Sequence, residues 1–375
     1  MDFAPTPEQQ LLRSSVERFV REQYPIETRR ADARAALGFN PDHWRQFAEL
    51  GWLALPVPEA FGGLGGDAGD LMLLMEALGE GIVVSPYLAT IVLGTGLVTR
   101  AGQVERHGSL VDQVMAGDRL LALADAEASS RYNPACVTTT AVRQDDRFVL
   151  NGAKRLVLFG GAADTLVVCA RTSGGLLERD GLSLFLVDAD SQGLSRRGYL
   201  TVDATPAADI VLDDVAVAED QLLGPEGQAL PLLERTLADG VLAVCAEAVG
   251  AMKVLFDTTT DYMKTREQFG RPLGAFQVVR HRVADMYIAC EQARSAVMNA
   301  ALAPDKQSAD WPKAVSAAKL RVGEAATFVG ESAVQLHGGI GMTEELKVSH
   351  YYKRLLMIDA LFGDQEEHAR RMAAL

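Results

Sequence analysis

Apolar residues recur at three- and four-residue intervals from Thr6 to about Asp118. Leu11, Leu12, Val16, Phe19 and Val20 make one stripe and Leu71 to Leu78 another, which predicts amphipathic helices packed on one another. Near Leu120 the pattern changes. From there to about Leu223, β-branched runs (Val137-Thr-Thr-Thr-Ala-Val142, Thr165-Leu-Val-Val168, Leu182-Ser-Leu-Phe-Leu-Val187, Asp209-Ile-Val-Leu212) alternate with Gly, Asp and Ser clusters, as expected of an antiparallel β domain. Asn151-Gly152 lies between two apolar runs and predicts a two-residue hairpin turn, because both residues tolerate positive φ. After Pro231, which suits the first turn of a helix, no proline occurs before Pro272 and the helical period returns. Further helices are predicted at about 276–303, 313–336 and 344–361, with Pro312 in a first turn behind a candidate cap at Asp310. Long helices with short connections imply a bundle. The predicted class is α+β, mostly α: an N-terminal helical domain (1–118), a central antiparallel β domain (119–222) and a C-terminal four-helix bundle (223–375).

Composition narrows the functions open to such a chain. Its 375 residues are 48% hydrophobic, enough for two or three buried cores. No apolar run is long enough to span a membrane, and Met1-Asp-Phe-Ala-Pro opens with neither a basic segment nor an apolar signal core, so a cytoplasmic location is expected. A net charge of −14 argues against nucleic acid as a partner. An anionic ligand then needs local cations to overcome the global field. The four cysteines (Cys136, Cys169, Cys245, Cys290) form no Cys-x-x-Cys pair and the six histidines are scattered. Reduced core thiols and no metal site are expected.

Two segments carry candidate chemistry. In Arg266-Glu-Gln-Phe-Gly270-Arg-Pro-Leu-Gly-Ala-Phe-Gln277 a long helix ends on a permanently charged, planar guanidinium followed by a Gly/Pro turn. Such a cation can meet two phosphate oxygens at once, as the diphosphate of a dinucleotide requires. In Gln335-Leu-His-Gly-Gly-Ile-Gly341 glycines after an apolar helical run let backbone approach a ligand and present N–H donors.

Together, in this order, these segments resemble the C-terminal domain of the FAD-dependent acyl-CoA dehydrogenases. The likeness extends over nearly the whole chain. Met1-Asp-Phe, Glu8-Gln-Gln, Trp44 through Gly51-Trp52 and Pro58-Glu-Ala-Phe-Gly-Gly-Leu-Gly65 resemble the family's N-terminal domain, and Phe148-Val-Leu-Asn-Gly-Ala-Lys154 its central β domain. The resemblance implies FAD as cofactor, an acyl-CoA thioester as substrate, α,β-dehydrogenation as reaction and an electron-transfer flavoprotein as acceptor. It places Arg266 at the FAD diphosphate, Phe269 beside it, and Gln277, Gln335, Gly338 and Gly339 at the adenosine end.

The chain also departs from the family. The reaction needs a carboxylate to take the α proton, and the two positions from which the family draws its glutamate fall on Gly363 and Gly240. Their carboxylate neighbours are Asp364 and Asp239. Asp364 is the candidate catalytic base, although Asp364-Gln-Glu-Glu367 also has the form of a helix cap. Glu234 lies six residues too early in register and reads as an exposed helical charge. Where the family binds the flavin ring through Thr-Glu-Pro and Lys-x-Trp-Ile-Thr, this chain has Ala124-Asp-Ala and Lys154-Arg-Leu156-Val-Leu158, which offer no such donors. In these departures, with its Ser129-Ser-Arg-Tyr132 and Leu361-Phe-Gly-Asp364 segments, the chain resembles one member of the paired α2β2 actinobacterial steroid and side-chain acyl-CoA dehydrogenases. That implies a heterotetramer with a paralogous subunit. Two other readings stand beside it: a non-catalytic subunit completing a partner's flavin site, and a flavin oxidase or monooxygenase on the same fold.

Overall fold

The computed structural model describes residues 4–303, 308 and 310–374, so the Met1-Asp-Phe motif lies outside it. The helices are α1 Pro7–Gln23, α2 Ile26–Arg34, α3 Pro41–Glu49, α4 Ala68–Glu80, α5 Gly96–Arg100, α6 Val104–Met115, α7 Leu230–Thr265, α8 Gln277–Ala301, α9 Trp311–His337, α10 Lys347–Ala360 and α11 Gln365–Ala374. The strands are β1 Leu121–Ala124, β2 Thr140–Gln144, β3 Arg147–Leu158, β4 Thr165–Arg171, β5 Leu182–Asp188, β6 Leu194–Leu200, β7 Pro206–Ala218 and β8 Leu222–Leu223, with a small pair, β9 Glu267–Gln268 and β10 Arg271–Pro272. The class read from the sequence is the one observed. In space the residues group into two compact units, one of 1–30, 68–83 and 241–375 and another of 31–67 and 84–240.

The first unit is helical. Thr6 starts α1 with a capping box, its Oγ1 accepting from the Gln9 N–H at 3.2 Å while Gln9 Oε1 accepts from the Thr6 N–H at 3.1 Å. Helices α4 and α7 meet backbone to backbone. A Cβ on Gly79 would fall 2.1 Å from the Glu247 carbonyl oxygen, and one on Gly250 1.9 Å from that of Glu76, so only glycine permits the crossing. Glu247, one turn before Gly250, holds Arg354 of α10 through bonds of 2.6 and 2.7 Å.

The second unit is built on an eight-stranded sheet in the order β6-β7-β3-β2-β4-β5-β8, with β1 alongside β4. Its pairings are antiparallel apart from β1 on β4 and a single β2–β4 pair. Phe148, Leu150, Leu166, Val168, Phe185 and Ile210 pack into its core. The predicted turn at Asn151-Gly152 is not a turn. Both residues lie inside β3 at a register shift against β7, and the chain reverses at Asp145-Asp146, where Asp145 has φ 54°. Asn151 instead exchanges two 2.9 Å side-chain bonds with Asp214. Gly152 is required because a Cβ there would lie 2.5 Å from Thr139 Oγ1. The bulge used the same residue preference that signals a hairpin. Asp310 precedes α9 as expected and Pro312 sits in its first turn, but the Asp310 side chain caps nothing. One element had no sequence signal: Tyr87–Thr95 winds as a wide π-helix, buried throughout, with Thr90 Oγ1 donating to the Leu121 carbonyl at 2.8 Å.

Among the described residues, no helix is long and apolar enough to cross a membrane and no cluster of metal-ligating side chains occurs. The four cysteines are free thiols.

Candidate functional site

Helix α7 delivers Arg266 to the start of a tight hairpin. The Arg266 N–H donates to the Tyr262 carbonyl and its own carbonyl accepts from the Leu273 N–H, both at 2.8 Å, which fixes the backbone while the side chain stays exposed. The two turn residues, Phe269 and Gly270, both have positive φ, 53° and 76°, the requirement of a type I′ turn. For a bulky residue such as Phe269 this conformation is strained. The residue is nonetheless 91% exposed, its ring meeting Phe276 edge-on with centroids 6.2 Å apart, while the Arg271 guanidinium lies 4.0 Å from the centre of the Phe276 ring. Gln277 opens α8 and is exposed, its Nε2 3.5 Å from His281 Nε2.

The glycine segment ends α9 in the same unit. Gln335 is exposed, Gly338 has φ 67°, and nothing lies within 4 Å of where a Cβ on Gly338 or Gly339 would project, so a ligand can reach this backbone. His337 is buried, and burial pushes its imidazole below the ordinary value. Its Nδ1 lies 2.8 Å from the Ala333 carbonyl and its ring stacks on Tyr262. Tyr262 is one turn before Arg266 and His337 directly precedes Gly338. The ends of α7 and α9, with the predicted cation and glycines, are thereby neighbours.

Neither base position carries a side chain. Gly363 is followed by Asp364, whose Oδ1 accepts from the Glu367 N–H at 2.9 Å and caps α11. Glu367 does not return the bond but turns to Arg370 and Arg371. Asp239, beside Gly240, is bound by the Arg100 guanidinium, which also donates to Thr236 at 3.0 Å. Glu234 pairs with Arg179 at 2.7 Å.

Lys319, not singled out from the sequence, is fully buried and donates to the Gly363 and Asp359 carbonyls at 2.6 and 2.8 Å. Burial pushes its ammonium below the ordinary lysine value. A lysine inside the apolar run Ser316-Ala-Ala-Lys319-Leu was the available signal.

The segment corresponding to the family's flavin-ring contacts is satisfied internally. Glu127 Oε1 accepts from Lys154 Nζ at 2.7 Å, and the carboxylate also accepts from the N–H groups of Thr138 and Thr139 at 2.7 and 3.0 Å. Burial favours the neutral acid, but Lys154 and these hydrogen bonds outweigh it and hold the Glu127 carboxyl down at about 2. The Ser130 hydroxyl is engaged with both the N–H and the carbonyl of Glu127, each at 2.9 Å. Ala124 is buried and Leu156, at φ 52°, is partly exposed. The residues present therefore fit the nucleotide end of FAD, with an exposed guanidinium and open glycine backbone, whereas the positions expected to meet the ring offer no side-chain donor.

Family models for the acyl-CoA dehydrogenase N-terminal, middle and C-terminal domains match residues 6–118, 122–215 and 230–374. The chain is 29% identical over 98% of its length to the short-chain-specific acyl-CoA dehydrogenase of Clostridium acetobutylicum, covering 97% of that protein. Among solved structures it is similar to the Tcur3481–Tcur3483 steroid ACAD (31% identity, TM-score 0.85, covering 98% of this chain and 97% of that one). It is likewise similar to the ChsE4–ChsE5 complex from Mycobacterium tuberculosis (26%, TM-score 0.89, 100% and 98%). With all three domains matched in order, the chain belongs to the acyl-CoA dehydrogenase family of oxidoreductases.

Proposed function

We propose that this chain takes part in FAD-dependent α,β-dehydrogenation of an acyl-CoA as one subunit of a hetero-oligomer, completing a flavin site to which a paralogous chain brings the proton acceptor. The observation carrying this reading is the state of the two base positions: both are glycine, and the carboxylates beside them are engaged, Asp239 by Arg100 and Asp364 by the first turn of α11.

The flavin, when bound, accepts the hydride leaving the β carbon. Arg266 holds the diphosphate by charge-assisted hydrogen bonds, and Phe269 shields it from water. Gln277, Gln335 and the N–H groups of Gly338 and Gly339 bind the adenosine end. Electrons pass to an electron-transfer flavoprotein, and a steroid or other bulky side-chain thioester in the cytoplasm is the candidate substrate. Similarity to the Tcur3481–Tcur3483 and ChsE4–ChsE5 pairs supports the paired assembly.

A second reading makes Asp364 itself the acceptor, through Oδ2, which the cap does not engage. Co-expression with a paralogous chain encoded beside it separates the two. A colourless, inert chain that becomes yellow and active with its partner, and stays active as Asp364→Asn, supports the first. A loss of 10²–10⁴-fold in Asp364→Asn, the usual cost of removing a general base, moves the acceptor to this chain.

A further inference from the structure

Gly363 is buried, has φ 118°, and faces a single ring. A Cβ placed on it would lie 2.9 Å from His368 Nε2 and 3.1 Å from Cδ2 of the same imidazole, with Glu367 Cγ also at 3.1 Å. His368 is 1% exposed; the backbone of Phe362 is the polar group beside its ring, and among the described residues neither ring nitrogen reaches good hydrogen-bond geometry. A buried imidazole so poorly matched is costly, so hydrogen bonding alone does not explain why it sits there. Volume does: the ring fills the space directly above a residue that has no side chain.

We infer that His368 is a positioning residue interlocked with Gly363, its imidazole occupying the volume in which any side chain at 363 would have to begin and so keeping the loop before α11 in a form that cannot carry a base. Lys319 adds to the lock by donating to the Gly363 carbonyl, and the Asp364 cap fixes the next residue. A carboxylate cannot be installed at 363 while the ring keeps its place. The inference rests on the reading that this chain lacks its own proton acceptor, and adds what holds it in that state.

The test is a cycle of thermal melts on the full-length chain as wild type, Gly363→Ala, His368→Ala and the double variant. Strain from the positive φ is the same whichever residue occupies 368, so only the collision with the ring can differ between backgrounds. Gly363→Ala should lower Tm by several degrees in the wild type and by less than half as much beside His368→Ala. Equal losses in the two backgrounds overturn the inference. If Gly363→Ala is insoluble, recovery of soluble protein in the double variant supports it and persistent insolubility overturns it. No melt requires FAD or thioester, so failure here is distinguishable from failure of the dehydrogenation reading.

Discussion

Tyr262 and His337 stack with ring centroids 4.4 Å apart and planes 22° from parallel, and this contact ties the end of α7, which leads into Arg266, to the end of α9, which leads into the Gly338-Gly339 turn. A ligand with an anionic middle and a heterocyclic end can use both only if those helix ends are held in register. Arg266→Ala should therefore weaken FAD retention by the assembled protein about ten- to hundredfold, the range for a charge-assisted hydrogen bond. Arg266→Lys should recover only part of it, since an ammonium lacks the planar fork. Flavin fluorescence released on titration reads both, and unchanged affinity in Arg266→Ala would exclude the diphosphate role.

The Glu127–Lys154 pair has side chains 2% and 0% exposed. Removing one partner leaves a buried charge, so Glu127→Gln and Lys154→Met should each cost about 3–5 kcal/mol. The double variant should cost well under their sum, because no lone charge remains. Urea unfolding of the four proteins measures the coupling.

His368 sets an acid limit. Burial, with the nearby Arg371 and Lys319, pushes its imidazole down to about 3 from an ordinary 6.5. Below pH 6.5 the unfolded chain binds a proton that the folded chain refuses. Stability is therefore full above that pH and falls as pH drops toward 3, by up to about 1.4 kcal/mol per pH unit for this group. His107, His337 and His350 are lowered too, so His368→Leu should flatten the decline between pH 6.5 and 5 without abolishing it. An unchanged slope in Tm against pH would show that residue 368 plays no part.

Asp364→Ala removes a helix cap and should cost about 1 kcal/mol of stability. The paired enzyme should retain activity within tenfold, measured as acyl-CoA-dependent dye reduction.

Glycines in helices should differ sharply. Gly250→Ala drives a methyl into the Glu76 carbonyl, which as backbone cannot yield, and should cost about 1–3 kcal/mol or more. Gly108→Ala in α6 meets nothing within 4 Å and should stabilise by up to about 1 kcal/mol. Paired thermal melts distinguish them.

The fold was legible because its long helices and β-branched runs have strong, unlike periods, and because Arg266 and Gly338 sit at helix ends that proline and glycine announce. What escaped depends on neighbours distant in sequence. Asn151-Gly152 looks like a turn in isolation and becomes a bulge only because Thr139 and Asp214 press on it. Lys319 and His368 carry no local signature of the carbonyls and the glycine they serve, and the π-helix at Tyr87–Thr95 has the same apolar composition as an ordinary buried helix. Asp364 illustrates the converse: its capping pattern was visible in four letters, and the bond is there.

The glycine crossing of α4 with α7 also bears on synthesis. The helical unit draws on residues 1–30 and 68–83 as well as 241–375, so its earliest segments leave the ribosome long before their partners in 241–375 exist. Leu71 through Leu78, buried in the finished unit, have only α1 to pack against in that unit while some 160 further residues are translated, an interval of roughly 8–30 s at ordinary elongation rates. A larger soluble yield when translation is slowed at low temperature is the expected outcome.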